Sequence, residues 1–470
     1  MKRAIVIGAG VNGLSAAVVL AQAGLAVEVF EAEAQPGGAA RTMPLTLPGF
    51  LHDFGSSVYP MGAGSPFFRS LPLSELGLEW VHGDAAAAHP LDDGPAIMLE
   101  RSFEAQERQL GPDGKAWTKL MRPVADRWWD FVEDALRPPL HVPAHPLLMA
   151  RFGAHAMLPA NVLARRFHTK RARALFAGLT GHSLLAFNQP MSSAVGVIFG
   201  GTAPAVGWPV AKGGAQSIPN ALIRRLQQLG GAVHTSRRIE SLDELDTRDA
   251  VVLCDVTPRQ LLRIAGLRLT PGYRRVLERF RFGPGAFKID YALSELIPWK
   301  AAECRRAMTV HVGGTFEEIA QAEYEVCTGK QAAKPYLLVA QPSLYDPTRA
   351  PAGRHTAWAY CHVPNGATED RSVAIETQIE RFAPGFRDCV LARRVFAPAD
   401  LEAMDANLVG GDINAGAFTI KQVLLRPGLC TYRTGTPGLY LCSASTPPGG
   451  GVHGMCGYNA AQAAQRDLPV

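Results

Sequence analysis

The chain has 470 residues, of which 47% are hydrophobic and 19% charged; this length exceeds what one hydrophobic core serves, so two structural units are expected. Its formal charge of +5 comes from scattered basic residues, the densest patch (Arg165, Arg166, Lys170, Arg171, Arg173) reads as a solvated helix face, and no recognition motif is present, which excludes nucleic acid as a partner. The eight cysteines form no C-x-x-C pair and no His/Cys cluster, which excludes a zinc site and a disulfide relay and reads as reduced thiols in a cytoplasmic protein.

The basic start and apolar run at the N-terminus mimic a signal peptide but read better as a strand and a helix. Ala4 to Ile7 is a short strand, followed by Gly8-x-Gly10-x-x-Gly13 and an apolar helix ending near Gly24. Gly8 makes the tight turn, Gly10 lets the backbone approach a pyrophosphate, and Gly13 allows close helix-to-strand packing. Val11 and Asn12 open the helix, whose positive dipole end faces phosphate. A second strand, Ala26 to Phe30, closes on Glu31, 18 residues beyond Gly13, placed to accept ribose hydroxyls. A carboxylate there repels a 2'-phosphate, which disfavours NADP.

Further along lie Ala32-Glu33-Ala34-Gln35-Pro36-Gly37-Gly38-Ala39-Ala40-Arg41 and then Asp53-Phe54-Gly55-Ser56-Ser57. The segment 65–205 is helix-rich and aromatic, and Trp117, Trp128, Trp129, Phe131, Phe152, Phe167, Phe176 and Phe187 read as core. Ala174 to Ala211 carries no charged side chain but is broken by Asn188-Gln189-Pro190 and Gly200-Gly201. It reads first as a buried segment lining an apolar cavity and second as a shallow membrane contact. After Gly207-Trp208-Pro209-Val210-Ala211-Lys212-Gly213-Gly214 come an amphipathic helix, Gly230-Gly231-Ala232-Val233-His234, Arg238-Ile239 and the buried strand Val251 to Asp255.

Gly285 to Trp299 is a strand carrying Lys288, which is either an ordinary solvent-facing lysine or a buried one with a lowered pKa. At the C-terminus a strand, Leu439 to Cys442, leads into Ser443-Ala444-Ser445-Thr446-Pro447-Pro448-Gly449-Gly450-Gly451-Val452-His453-Gly454 and a small-residue helix. Its loop amides and helix start suit an electron-rich ring. His52, His182 and His453 are candidate acid-base groups. No Ser-His-Asp order or carboxylate pair points to hydrolysis.

Three of these stretches together, at the start, middle and end of the chain, resemble the amine oxidase and phytoene desaturase superfamily of glutathione-reductase-type FAD enzymes. The resemblance implies that Gly37, Gly38, Ala39 and Arg41 run close to the cofactor and that Gly55, Ser56 and Ser57 pass the flavin ring. It further implies that Ile239 meets the adenine, and that Ser443, Ala444, Gly451, Val452, His453 and Gly454 form the second FAD loop. In amine oxidases a lysine at the place of Lys288 holds a water at flavin N5. Carotenoid desaturases more often have Gly and His where Ser443 and Pro447 stand, which places the chain nearer the desaturase-like branch of unsettled substrates.

The expectation is an α/β fold. A Rossmann-type FAD-binding domain, discontinuous over 1–64, 206–264 and 421–470, carries a mixed α+β substrate domain over 65–205 and 265–420. No second Gly-x-Gly-x-x-Gly unit follows a strand, so reduced flavin passes electrons to oxygen, a quinone or another diffusible acceptor. The expected reaction is hydride removal from a hydrophobic, polyene or isoprenoid-like molecule, with Lys288 and His453 the catalytic candidates. Amine oxidation, flavin-assisted isomerisation and a non-catalytic lipid escort are the alternatives, and peripheral membrane contact is an expected partner interaction.

Overall fold

The computed structural model describes residues 3–468. Its strands are Arg3–Ile7 (β1), Ala26–Phe30 (β2), Thr42–Met43 (β3), His52–Asp53 (β4), Trp80–Val81 (β5), Ala85–His89 (β6), Ile97–Leu99 (β7), Val210–Ala211 (β8), Ala232–His234 (β9), Ala250–Cys254 (β10), Gly285–Leu293 (β11), Ala307–Val312 (β12), Leu337–Ala340 (β13), His355–Val363 (β14), Val390–Phe396 (β15) and Leu439–Leu441 (β16).

A parallel sheet in the order β16-β10-β1-β2-β9 draws its strands from the start, middle and end of the chain. Because alternate residues of a strand face opposite ways, Ala4 and Val6 enter one core with the helices Val11–Gln22, Ser217–Gln228 and Met455–Asp467. Ile5 and Ile7 enter another, with Leu261, Ile264, Leu269, Tyr273 and Leu277. Residues 266–278, assigned above to the substrate unit, therefore pack on the nucleotide sheet, since Leu269, Tyr273 and Leu277 find their apolar cover there. The strand order reverses direction at β1, where open α/β sheets bind ligands at the carboxyl ends of their strands.

The second sheet has the order β15-β11-β14-β13-β12-β6-β7. One of its faces packs Phe287, Ile289, Val310 and Ala359 against Ile375, Ile379 and Phe382 of the helix Ser372–Phe382. On the other face the register lines up Phe396, Lys288, Tyr360, Leu338 and His311 in one row across five strands. The helices Lys170–Gly181 and Ala194–Ala205 belong to the main apolar core. Most of the aromatic side chains of 117–187 pack into that core as expected; Trp129 is an exposed exception. Among the described residues no single helix is long and apolar enough to cross a membrane.

Candidate active site

Two cavities flank the loop 37–41. The first is lined by Gly8, Gly10, Glu31, Ala32, Gly38, Arg41, Ile239 and Asp255. The short turn after β1 shapes it: a Cβ on Gly13 would sit 2.1 Å from the Gly8 carbonyl oxygen, and one on Gly10 would sit 2.6 Å from Asp255 Oδ2. The Gly13 amide donates to Asp255 Oδ2 at 2.8 Å and Leu14 N–H begins the helical ladder on Gly10. Val11 and Asn12 keep the unpaired amides that every helix start presents. Glu31 sits at the far end, its two oxygens accepting from the Ala9 amide at 2.7 Å and the Glu33 amide at 2.9 Å.

Burial raises the Glu31 pKa and pushes Asp255 up to about 7, with Asp405 and Glu31 adding repulsion at Asp255. Arg41 donates to the Gly38 carbonyl at 2.7 Å and to the Met404 carbonyl at 2.6 Å. It thus fastens the segment 404–407 against the groove, where Asn407 also donates to the Asp255 carbonyl at 3.0 Å. That strap comes from the second unit and carries no sequence signature.

The second cavity, a chamber of about 260 Å³, is lined by Ala39, Gly55, Ser56, Ser57, Gly451 and Val452. Phe199, Trp208, Leu338, Trp358, Tyr360, His182 and Lys288 line it as well. The charge-free stretch before Trp208 thus borders an interior cavity through its helix Ala194–Ala205. Val452 holds a φ of 52° between Gly451 and Gly454, at 136° and 72°. Ser443 and Ala444 line neither cavity: the Ser443 hydroxyl donates to the Val256 carbonyl at 2.7 Å, and Arg426 donates to the Ala444 carbonyl at 3.2 Å. His453 lines neither cavity; its Nδ1 accepts from Met455 N–H at 3.0 Å. Its ring therefore caps the C-terminal helix, and burial lowers its pKa to about 4. Gly37 shapes its own loop, with its amide donating to the Ala9 carbonyl at 2.9 Å.

Lys288 is buried and faces the chamber, which removes the solvent-facing alternative. Its ammonium donates to the Asp53 carbonyl at 3.0 Å and to Asp290, its neighbour two residues along the same strand face. Burial raises Asp290 to about 6 despite the pull of Lys288. Burial pushes the Asp53 carboxylate up as well, but Arg349 at 2.8 Å and hydrogen bonds from Ala215 N–H and Thr42 hold its pKa below the ordinary carboxylate value. His52 lies in the same cluster but is pushed down to about 3 by burial and by the nearby Lys288 and Arg349 cations. The cluster is charge-balanced: two cations against two carboxylates, with a neutral imidazole beside them. Asp290 was within reach of sequence reasoning through its i, i+2 spacing; Arg349, Trp358 and Tyr360 were not, because Arg349 arrives on the short turn Pro347–Arg349 and the two aromatic residues through strand register.

The family profile of the NAD(P)-binding Rossmann-like domain matches residues 6–71. The chain is 27% identical over 562 aligned positions to mouse pyridine nucleotide-disulfide oxidoreductase domain-containing protein 2, covering 99% of this chain and 93% of that one. It is 25% identical to the phytoene dehydrogenase of Streptomyces griseus, covering 95% of this chain and 92% of that one. The protein is an oxidoreductase similar to the phytoene desaturases. Its fold is that of putrescine oxidase, whose structure bound to putrescine superposes with a TM-score of 0.62 at 18% identity, covering 99% of this chain and 98% of that one. A flavin-type dinucleotide is the cofactor, and the paired cavities fit such a group, with the tight turn at Gly8 and Gly10 in the first and glycine-rich loops lining the second.

Proposed function

We propose that the protein binds FAD and removes a hydride from a hydrophobic small molecule, passing the electrons on to a diffusible acceptor such as oxygen or a quinone. The observation that carries this reading is a single chamber lined on one side by Gly55, Ser56, Gly451 and Val452 and on the other by Phe199, Trp208, Leu338 and Trp358. In that arrangement Glu31 binds the ribose, the Val11 and Asn12 amides bind phosphate, and Ile239 packs on the adenine. The flavin, when bound, supplies the hydride acceptor, so the substrate site needs orientation and exclusion of water more than a strong base. Trp358 braces the loop on the flavin side, its indole N–H donating to the Ser57 hydroxyl at 2.6 Å. Lys288 offers a fixed cation at the reacting end, held by the Asp53 carbonyl and Asp290.

Peripheral lipid contact belongs to the same proposal, supported by Leu140, Val142 and Leu147 at 66%, 91% and 85% exposure, with the exposed Arg137 and Arg151 nearby in sequence. The deciding experiment is the visible absorbance of the purified protein, followed by anaerobic titration with isoprenoids, amines and acyl compounds. Bleaching by an isoprenoid is the expected result. A colourless protein that binds lipid would make it an escort, and bleaching by amines alone would make it an amine oxidase.

A further inference from the structure

The chamber has a second polar end that the hydride reaction does not call for. His182 lines it, and His182 Nε2 lies 2.9 Å from His311 Nε2 on β12. His311 is fully buried, and it stands in the same cross-sheet row as Lys288, three strands away. At about 4.8 Å per strand that separation is roughly 14 Å. Thr309, two residues from His311 on the same strand face, and Tyr360, between the two ends, also line the chamber. Their hydroxyls make no hydrogen bond within the described residues, and His182 Nδ1 makes none either.

The protonation of the imidazole pair follows from its surroundings. Burial, with His362 adding a smaller push, lowers His182 to about 3, and burial with its histidine neighbours lowers His311 well below its ordinary value. Both rings are therefore neutral, and each carries one N–H. His311 Nδ1 is buried without a partner, facing Gly178 and the His89 ring. An orphaned buried N–H is a rarer and costlier arrangement than an orphaned lone pair. The His311 proton thus belongs on Nε2, where His182 Nε2 accepts it, and the His182 proton falls on Nδ1, the ring nitrogen left for the chamber that His182 lines. His89 does not compete for this role, because its Nε2–H donates to the Gly314 carbonyl at 2.7 Å.

Taking the flavin reading as its basis, we infer that the chamber is built for a short apolar molecule bearing an uncharged oxygen, a carbonyl or hydroxyl, which accepts a hydrogen bond from His182 while the carbon to be oxidised lies at the Lys288 end. An ammonium has no lone pair to offer His182 Nδ1–H, and among the described residues no carboxylate lines the chamber to hold one. A plain hydrocarbon leaves His182 Nδ1–H, Thr309 and Tyr360 desolvated and unpaired. Length argues the same way: the two polar ends stand roughly 14 Å apart, which sets the reach of a molecule that touches both. His182 is here a binding residue and His311 a positioning residue acting through it.

The test uses flavin-loaded protein and four probes of related skeleton: geraniol, geranial, geranylamine and the hydrocarbon myrcene. Binding is followed by the perturbation of the visible flavin spectrum. The expected result is that geraniol and geranial bind about tenfold or more tightly than myrcene, the scale of one well-placed hydrogen bond, with geranylamine no better than myrcene. His182→Phe should bring the oxygenated probes down to the myrcene level and leave myrcene unchanged. His311→Leu should do the same in part, and His311→Gln should restore the preference, because its amide N–H takes the place of Nε2–H; a merely structural role for His311 would not show that rescue. Equal binding of all four, tightest binding of geranylamine, no spectral response to any probe, or a preference that survives in His182→Phe would overturn the inference while leaving the flavin reading intact. A protein that carries no flavin would instead overturn the flavin reading.

Discussion

Gly457 and Asn12 meet where the first and last helices cross: a Cβ on Gly457 would lie 1.8 Å from the Asn12 carbonyl oxygen and 3.0 Å from the Ala16 amide nitrogen. The contact couples the helix that follows the Gly8–Gly13 turn to the helix that follows the C-terminal glycine loop. Gly457→Ala should force the two apart at a cost of about 1–3 kcal/mol or more, because the obstacle is backbone. A lowered melting temperature together with a lowered flavin-to-protein ratio is the expected outcome, and a variant with both values unchanged would contradict it.

Asp255 gives the protein a pH dependence of definite sign. Its folded pKa, about 7, lies above the ordinary aspartate value of 3.8. Between those values the unfolded chain has released a proton that the native state still holds, so stability falls as pH rises. The contribution is fully present below about pH 4 and lost as pH passes through about 7, on the order of a few kcal/mol. Asp255→Asn keeps an acceptor for the Gly13 amide and removes the titration. Melting curves across this range should therefore slope less in the variant than in the wild type; parallel slopes would show that Asp255 does not titrate there.

Lys288 and Asp290 are expected to behave as a pair. Lys288→Met leaves the Asp290 carboxylate buried without its cation, a loss of about 3–5 kcal/mol for a broken buried pair. Adding Asp290→Asn should restore much of the thermal stability, because the neutral side chain no longer needs a counter-charge. The flavin should stay bound in both variants, since neither residue lines the nucleotide cavity. A double variant less stable than Lys288→Met alone would refute the coupling.

Glu31 lines the first cavity and organises two amides, those of Ala9 and Glu33. Glu31→Ala should weaken flavin retention by about ten- to a hundredfold, the scale of hydrogen bonds to a charged group, and Glu31→Gln by less. Equilibrium dialysis of the flavin against each variant measures this directly, and equal retention by all three forms would exclude a role for the carboxylate.

The nucleotide half was readable because its signals are local. Gly8, Gly10 and Gly13 report a turn whose geometry tolerates no side chain, and Glu31 closes the same unit within one strand, one helix and one more strand. The C-terminal loop was readable for the same reason, through Gly451, Gly454 and the small residues that follow. His453 misled because a histidine among glycines carries no mark of which way its ring turns. Here it turns to the Met455 amide and away from the chamber.

By itself the sequence determined that this chain folds around a dinucleotide with elements from both of its ends, since turn geometry and strand-helix periodicity are written in neighbouring residues. The tertiary structure alone decided which side chains share the chamber. Lys288, Tyr360, Leu338 and Thr309 come from four strands that meet only through sheet register, and Arg349 reaches Asp53 across 296 positions. Register depends on how a whole buried face packs, so no local pattern in these segments foretells it.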